Sequence, residues 1–285
     1  MENNTQLKEM IRSMVIDILQ GQKQEMASSQ PIKQAPRGQV EPGVFDTVDE
    51  AIQAAKAAQA RFEDCTLATR EKVIADIRAA MRPRVQELAQ KTVDETGMGR
   101  VADKVLKLNL TLNKTPGVED LVTECETGDN GMTLYELSAY GVIGAITPST
   151  NPAETLICNS IGMLAAGNAI FFSVHPGAKN LSRELVSELN QVIAKSIGIE
   201  NLIVTLREPS IESAQEMMLH PDVSLLVVTG GPGVVKQALQ SGKKVIGAGA
   251  GNPPAFVDET ADIKKAAQDI VLGASLDNNI LCIAE

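Results

Sequence analysis

The sequence predicts an α/β fold built on a doubly wound parallel sheet, and two observations lead to that prediction. After Gly141 five short runs are apolar throughout, as buried strands are, at 142–147, 169–174, 202–206, 225–229 and 244–248. Between them lie four segments with the composition and spacing of helices, at 153–166, 178–197, 211–219 and 233–241. Strands that are apolar throughout and alternate with helices are typical of a parallel sheet covered on both faces. We therefore expect a Rossmann-like parallel sheet at 141–250, within a domain that spans 44–250.

Composition limits what this domain can bind. The chain has 285 residues, 44% of them hydrophobic, and no apolar run of the length of a membrane span, so we expect a soluble protein with a sizeable core. Its formal charge of −10, with two Tyr, five Phe and no Trp, provides neither the basic face nor the stacking surface that nucleic acid requires. Nucleic-acid and membrane partners are therefore not expected.

Cysteine usage indicates a reducing compartment, such as the cytoplasm. The four cysteines, Cys65, Cys125, Cys158 and Cys282, are scattered, and none forms a CxxC pair. Only two histidines could assist them, so the sequence predicts neither a disulfide framework nor a metal site.

The first element is an amphipathic helix at 1–19, followed by a flexible linker at 20–43. Its apolar side chains recur at helical spacing on one face, at Leu7, Met10, Ile11, Met14, Val15 and Ile18. Acidic residues interrupt the stretch and no cleavage site follows, which excludes a secretory signal. Two interpretations stay open: a helix that docks on its own protein or a sister subunit, and an address tag that binds a groove on another protein.

The next part, 44–124, is predicted to be helical. Thr47 and Glu50 form a capping box ahead of a helix that ends near Phe62, and a second helix follows Thr66. Pro83 suits the start of a third helix, which Gly97 and Gly99 end, and a fourth helix follows around 101–114. At 125–140 the period changes to that of a β-hairpin, which is either a bridge between domains or subunits or an ordinary sheet edge.

Four of the loops that follow the predicted strands are rich in Gly and Pro. They read 147-TPSTNP-152, 175-HPGAK-179, 229-TGGPGVV-235 and 247-GAGAGNPP-254. Such turns let backbone N–H groups approach a ligand and direct a helix N-terminus at phosphate, although one such loop alone indicates no more than a tight turn. Four at one sheet edge predict a dinucleotide site. The residues expected to contact the coenzyme are Thr147, Pro148, His175, Pro176, Gly177, Thr229, Gly230, Gly231 and Gly249.

These loops, with 277-DNNILCIAE-285, also carry a family resemblance in their order and spacing. From about Val44 onward the sequence resembles the CoA-acylating aldehyde dehydrogenases of bacterial microcompartments, which convert propionaldehyde or acetaldehyde to acyl-CoA in propanediol or ethanolamine utilisation. The leading helix and linker look like the encapsulation peptide of that group. The resemblance implies NAD and coenzyme A as cofactors, a shell protein as partner and a homo-oligomer when full length. It also implies a location inside a microcompartment, and that the chain is the N-terminal portion of a longer enzyme.

The resemblance assigns Cys282 as the nucleophile. The thiolate would attack the aldehyde, with the backbone N–H of Cys282 and the side chain of Asn151 stabilising the oxyanion. From the residues alone, a cysteine between two apolar residues, as Cys282 is between Leu281 and Ile283, is more often an inert core residue than a nucleophile. Asn151 before Pro152 is as typical of a turn residue as of a catalytic one. By analogy His175 contacts the adenine ribose, unless it is simply a surface residue. His220 is expected to be structural.

The decisive departure from the hydrolytic relatives is at Gly247. Where those enzymes carry a Glu that activates water, this sequence has glycine, so it lacks that base. A cysteine thiol with an ordinary pKa near ~8.5 already supplies some thiolate at neutral pH. Thiolysis of the acyl-enzyme by CoA therefore fits this sequence better than hydrolysis.

Two other functions remain open from the sequence. One is a different enzyme on the same scaffold, either a hydrolytic aldehyde dehydrogenase or a semialdehyde reductase. The other is a dinucleotide-binding module without catalysis, because residues 251–285 provide only the beginning of a catalytic domain. For the same reason we expect the 285-residue chain to be inactive by itself.

Overall fold

The computed structural model describes residues 41–249, 251 and 254–280. The predicted helix at 1–19, almost all of the linker at 20–43, and Cys282 lie outside these described residues.

The main sheet has six strands, all parallel, in the order β1-β6-β5-β4-β7-β8. Its strands are β1 Val44–Phe45, β4 Val142–Ile146, β5 Ala169–Ser173, β6 Ile203–Leu206, β7 Val223–Thr229 and β8 Lys244–Ala248. The five predicted strands are therefore present and parallel, and the expected α/β fold is confirmed. The strand order reverses between β4 and β7. Strands β5 and β6 lie on one side of β4, and strands β7 and β8 lie on its other side.

The helices pack against this sheet and against one another. They are α1 Val48–Glu63, α2 Leu67–Met81, α3 Val85–Thr96, α4 Val101–Lys114, α5 Pro152–Ala165, α6 Lys179–Ile197, α7 Ile211–Leu219, α8 Pro232–Gln240 and α9 Ile263–Ser275. Among the described residues four 3-10 turns accompany them, at Arg82–Arg84, Val118–Asp120, Pro176–Ala178 and Leu276–Asn279.

The helix ends follow the local signals in the sequence. The Thr47 and Thr66 side chains accept the backbone N–H of Glu50 and Thr69, which caps α1 and α2. Gly97 ends α3 in the left-handed conformation, with φ 67°. The Arg82–Arg84 turn contains Pro83 and leads directly into α3.

A continuous apolar core joins the sheet to its helices. Phe171 and Phe172 of β5 are fully buried, as are Phe62 of α1 and Leu156 and Ile157 of α5. Burial of each such side chain contributes about 1.5–3 kcal/mol, so this core is the main source of stability for the strands that carry the loops.

The hairpin is not an edge of the main sheet. Strands β2 Glu124–Gly128 and β3 Gly131–Tyr135 pair only with each other, and all ten of their residues are exposed. Of the two interpretations left open by the sequence, the ordinary sheet edge is therefore wrong for the described part of the chain, because alternation in the sequence shows that a strand is present but not which strand it joins.

Candidate functional site

A cavity of about 590 Å³ opens at the carboxyl ends of the central strands, where the strand order reverses between β4 and β7. This is the position at which parallel α/β sheets bind their ligands. The cavity is lined by the ends of β4, β5, β7 and β8 and by the loops that follow them, through Ile146, Thr147, Pro148, Ser149, Thr150, Ser173, Val174, His175, Pro176, Thr229, Gly230, Gly231, Gly249 and Gly251. It is large enough for an extended nucleotide ligand.

Eight of the nine residues predicted to contact a coenzyme line this cavity, and Gly177 is the exception. The backbone N–H of Gly177 donates to Nδ1 of His175 at 3.0 Å, so this glycine shapes the loop and does not line the cavity. His175 is exposed at the rim, which leaves its ring accessible to a ligand.

Two local features fit a phosphate-bearing ligand. Thr147 is 2% exposed, and its Oγ1 is buried with no hydrogen-bond partner among the described residues, so it can donate to a group in the cavity. Gly231 caps helix α8, whose first backbone N–H groups have no partner within the helix and favour an anion. A Cβ at Gly230 would lie 2.7 Å from Cγ1 of Val234, so only glycine allows the loop to pack this closely on α8.

The sequence did not predict one wall of the cavity. Helix α7 contributes Ser210, Ile211 and Ala214, and Asn279 closes another side. A signal was present, because 207-REPS-210 follows a predicted strand and Ser210 caps α7. That loop is poor in glycine, so it does not resemble the glycine-rich turns that indicate a dinucleotide site.

Asn151 lines a second, smaller cavity of about 300 Å³ beside α4 and α5. The loop from Thr147 to Thr150 lines the larger cavity, and Asn151 at the end of that loop faces the smaller one. The loop after β4 therefore contributes residues to both cavities. The smaller cavity is also lined by Lys107, Leu110, Thr111, Glu154, Thr155, Cys158 and Asn159.

Buried charges fix this loop to helix α4. The side chain of Lys104 is fully buried, and its Nζ donates to Asn151 Oδ1 at 2.7 Å and to the Thr150 carbonyl at 2.5 Å. The same Nζ lies 2.8 Å from Oδ2 of Asp277, a fully buried carboxylate that also pairs with Lys107 at 2.6 Å. Asp277 is five residues before Cys282, so the cluster joins Asn151 to the segment that leads to the predicted nucleophile.

The ionisation of Asp277 follows from these contacts. Burial by itself would raise the pKa of this carboxyl, but hydrogen bonds from Lys104, Lys107 and the backbone N–H of Arg100 outweigh burial and hold the pKa below its usual value. Asp277 is thus an anion held among donors. The segment itself is unusual, because Asp277, Asn278 and Asn279 all have left-handed φ angles, of 49°, 57° and 56°.

Glu154, on the first turn of α5, has the opposite environment. It is 7% exposed, and neither of its carboxyl oxygens has a hydrogen-bond partner among the described residues. Burial raises its pKa, while the nearby charges of Lys104 and Lys107 act in the opposite direction without cancelling the effect. A carboxyl group of altered ionisation therefore lines the cavity beside Asn151.

The remaining predicted residues lie elsewhere. The ring of His220 contacts Asp49 Oδ1 at 3.1 Å and accepts the backbone N–H of Asp222, which are structural contacts far from the cavities. Gly247 lies in β8, and a Cβ there would point at Val235 of α8, 3.1 Å from its Cγ1. In the part of the chain that the structure describes, no group of three or more His, Cys, Asp or Glu is arranged to hold a metal ion. No helix in that part has the length and apolarity to cross a membrane.

Comparison with known proteins identifies a family and several similar enzymes. Residues 18–285 match the family described as "Aldehyde dehydrogenase family". A CoA-propanoylating propanal dehydrogenase of Salmonella typhimurium is 50% identical over 283 residues, an alignment that covers 99% of this chain and 59% of that protein.

Two solved structures are similar in both fold and sequence. The propionaldehyde dehydrogenase of the fucose utilisation microcompartment of Clostridium phytofermentans aligns with a TM-score of 0.83 at 51% identity, over 86% of this chain and 56% of that one. A propionaldehyde dehydrogenase of Rhodopseudomonas palustris, with bound CoA and an acylated cysteine, aligns with a TM-score of 0.82 at 52% identity, over 85% and 55% of the two chains. The chain thus spans little more than half the length of the relatives it matches.

Proposed function

The chain belongs to the aldehyde dehydrogenase family, and on that premise we propose that it is the coenzyme-binding part of a CoA-acylating aldehyde dehydrogenase. The proposed reaction oxidises a short aldehyde, propionaldehyde or acetaldehyde, with NAD and transfers the acyl group to CoA. The similar proteins named as propanal or propionaldehyde dehydrogenases support this choice of substrate and acceptor.

One observation of the structure carries the proposal. The loop after β4 lines the nucleotide-sized cavity with Thr147 and Pro148, and at its other end Lys104 joins Asn151 to Asp277. The coenzyme cavity, the candidate oxyanion residue and the approach to Cys282 are therefore neighbours, as transfer of hydride from a thiol-bound aldehyde to a coenzyme requires.

The chain's own residues supply binding, attack and charge stabilisation. Thr147, His175 and the N-terminus of α8 would hold the nucleotide. Cys282 would attack the carbonyl carbon as a thiolate, and the Asn151 side-chain N–H groups would stabilise the resulting oxyanion. When bound, NAD accepts the hydride and CoA supplies the thiol that releases the acyl group. Cys282 then leaves as thiolate and is ready for another aldehyde.

The identity of residue 247 favours CoA over water as the acceptor. Gly247 provides no carboxylate to deprotonate water, whereas a thiol can react as thiolate without a strong base. Acyl transfer to CoA is then the faster route from the acyl-enzyme.

Product analysis tests this proposal. The enzyme expressed from the complete reading frame is incubated with propionaldehyde and NAD, with and without CoA, and products are quantified by mass spectrometry. We expect propionyl-CoA when CoA is present, slow formation of propionate when CoA is withheld, and loss of both in Cys282→Ala. Rapid propionate formation without CoA would contradict the proposal and indicate a hydrolytic aldehyde dehydrogenase.

Gly247→Glu is the companion variant. It should raise the ratio of acid to thioester, although not to the level of an efficient hydrolase, because a catalytic carboxylate also needs a placed water and a suitable pKa. The close approach of residue 247 to Val235 calls for a second version with Val235→Ala, which makes room for the new side chain.

We further propose that residues 1–19 direct the enzyme into a bacterial microcompartment by binding a shell protein. The apolar face of this segment and its polar linker support the proposal, as does the microcompartment origin of the Clostridium relative. A reporter fused to residues 1–43 should enter compartments in cells that make the shell.

Paired substitutions test which face of this segment is recognised. Ile11→Glu with Val15→Glu should leave the reporter dispersed, whereas Gln6→Glu with Ser13→Glu adds the same charge outside the apolar face and should not. Encapsulation of both variants would show that the apolar face is not the address.

The proposal includes a homo-oligomer, with the exposed hairpin β2–β3 as the candidate contact. Met132, Leu134 and Tyr135 are exposed on β3, and such side chains are commonly covered in an assembly. Light scattering of the complete enzyme would measure its mass, and a monomer would contradict this part of the proposal.

A further inference from the structure

We propose that Lys104 is a positioning residue that fixes the side-chain amide of Asn151 with its NH₂ group turned away from the buried cluster, ready to donate to the substrate oxyanion. This inference rests on the proposed function, because it concerns how the oxyanion donor of that reaction is oriented. Lys104 itself would touch neither substrate nor coenzyme.

The first step is the contact that Lys104 makes. Its Nζ donates to Asn151 Oδ1 at 2.7 Å, and Lys107 Nζ lies 3.4 Å from the same oxygen. An ammonium group can only donate hydrogen bonds, so the amide must present its oxygen to the two lysines. This chemical requirement fixes which end of the amide faces inward.

The second step concerns the other end of the amide. With Oδ1 facing inward, Nδ2 is on the outward side, and Asn151 lines the smaller cavity. Among the described residues Asn151 Nδ2 makes no hydrogen bond that would occupy its two protons. A donor held in a fixed direction without a competing acceptor is what stabilisation of an oxyanion requires.

Lys104 is better placed than Lys107 for this role. Its side chain is fully buried, against 17% exposure for Lys107, so its ammonium group has no access to water as an alternative acceptor. It also donates to the Thr150 carbonyl at 2.5 Å and so holds the backbone next to Asn151. The same cation therefore fixes both the loop and its functional side chain.

Asp277 holds this cation in place. It lies 2.8 Å from Lys104 Nζ and is itself held by Lys107 and by the backbone N–H of Arg100, 2.7 Å from Oδ1. Gly99 packs against the carboxyl of Asp277 so closely that a Cβ at that position would collide with it, and its φ of +81° also favours glycine. The segment before Cys282 is thereby coupled to the orientation of Asn151.

The principal test is a double-mutant cycle in the enzyme expressed from the complete reading frame. Lys104→Met, Asn151→Ala and their combination are compared for kcat in propionyl-CoA formation and for NAD affinity by calorimetry. We expect each single variant to lower kcat about 10²-fold, the effect of removing one oxyanion donor, with NAD affinity within about twofold of the parent. Because Lys104 acts through Asn151, the combined variant should lose no more activity than Asn151→Ala alone.

Asn151→Asp separates donation from turn formation. Asp is as good as Asn at the start of a helix and suits two neighbouring lysines, but its carboxylate has no N–H to donate. The variant should fold and lose kcat as Asn151→Ala does. A turn-forming role alone would leave its kcat unchanged.

A paired variant guards against loss of folding. Lys104→Met leaves a buried carboxylate short of a partner, whereas Lys104→Met with Asp277→Asn removes both charges and should fold. Lys243→Met is the matched control, because Lys243 also donates two hydrogen bonds, to the carbonyls of His220 and Val223, but lies away from the site. Its kcat should equal that of the parent.

The outcomes are distinct. Parental kcat in folded Lys104→Met or in the paired variant, parental kcat in Asn151→Asp, or additive losses in the cycle would each overturn the positioning role. If the parent itself forms no propionyl-CoA, the proposed function fails before any variant is compared. The inference is supported if both single variants lose kcat, the combined variant loses no more than Asn151→Ala alone, and Lys243→Met keeps the parental kcat.

Discussion

At the scale of single residues, Glu154 is a buried carboxyl group whose ionisation is unfavourable in the folded protein. Its buried carboxyl oxygens find no hydrogen-bond donor among the described residues, although Lys104 and Lys107 are close enough to act on its charge. Its pKa is raised, first by burial, so the folded protein favours the protonated form. The carboxylate therefore destabilises the fold wherever the pH forces it to ionise.

This gives a pH-dependent prediction for Glu154→Gln. Because the folded-state pKa lies above the usual 4.5, the cost of ionisation is present above the folded pKa and disappears as the pH falls below 4.5. Glu154→Gln should therefore raise Tm at pH 7 and have no effect below about pH 4.5. For a domain of this size each 1 kcal/mol relieved raises Tm by about 2–4 °C.

Calorimetric melting of both proteins from pH 4 to pH 8 checks this expectation. Glu216→Gln, a change at an exposed glutamate, is the control and should alter Tm little at any pH. A Tm difference for Glu154→Gln that is independent of pH would show that ionisation is not its cause.

Sequence reasoning found some of the residues that line the two cavities and missed others, for a physical reason. Asn151 and most of the predicted glycines line a cavity, and they could be found because the loops at strand ends have a recognisable local composition. Lys104 and Asp277 could not, because their pairing joins residues 173 apart and no local pattern marks a lysine or aspartate as buried.

At the scale of elements, the turn from β7 into α8 is sensitive to added volume at one glycine and tolerant at the next. A Cβ at Gly230 would lie 2.7 Å from Val234, whereas a Cβ at Gly231 would meet nothing within 4 Å. Gly230→Ala should therefore cost about 1–3 kcal/mol by overpacking. Gly231→Ala should leave stability nearly unchanged and weaken binding of NAD, because the new methyl group stands where a phosphate would approach the helix N-terminus.

Urea unfolding measures the first effect, and calorimetric titration with NAD measures the second. Equal losses of stability in the two variants would contradict the packing argument. Unchanged NAD affinity in Gly231→Ala would argue against phosphate binding at α8.

Elements with capping signals or strong periodicity were predictable, and two others were missed. Strand β1 has two residues, too few for any period, and exists because it pairs with β6. Helix α9 was missed although the sequence carries a capping signal for it, since the Asp262 side chain accepts the backbone N–H of Lys265. The predicted bounds of the other helices and of the strands of the main sheet differ from the observed ones by at most two residues, as expected where helix ends fray, whereas the hairpin ends at Tyr135, five residues earlier than predicted.

At the scale of the whole molecule, the share of the relatives' length that the 285-residue chain covers leads to a prediction of what it can do by itself. It has the sheet and the cavity at the ends of its strands, but it covers only 59% of the length of the Salmonella propanal dehydrogenase. We expect it to bind NAD weakly or moderately and to form no NADH from propionaldehyde and CoA. Calorimetry and absorbance at the NADH band test the two halves of this prediction.

The complete enzyme under the same conditions is the control. Turnover by the 285-residue chain would show that its own residues suffice for catalysis. If the chain fails to bind NAD, the cavity at the sheet edge is not a coenzyme site by itself.

The pairing of Lys104 and Lys107 with Asp277 also affects the stage of protein synthesis at which helix α4 can dock. Lys107 and Asp277 are 170 residues apart, so at about 5–20 residues per second the ribosome needs roughly 10–30 s to deliver the carboxylate after helix α4 has emerged. Through that interval Lys104 and Lys107 lack the carboxylate of Asp277 and must stay hydrated. The nascent protein can therefore assemble its sheet early, but α4 docks in its final position only when the residues just ahead of Cys282 have been synthesised.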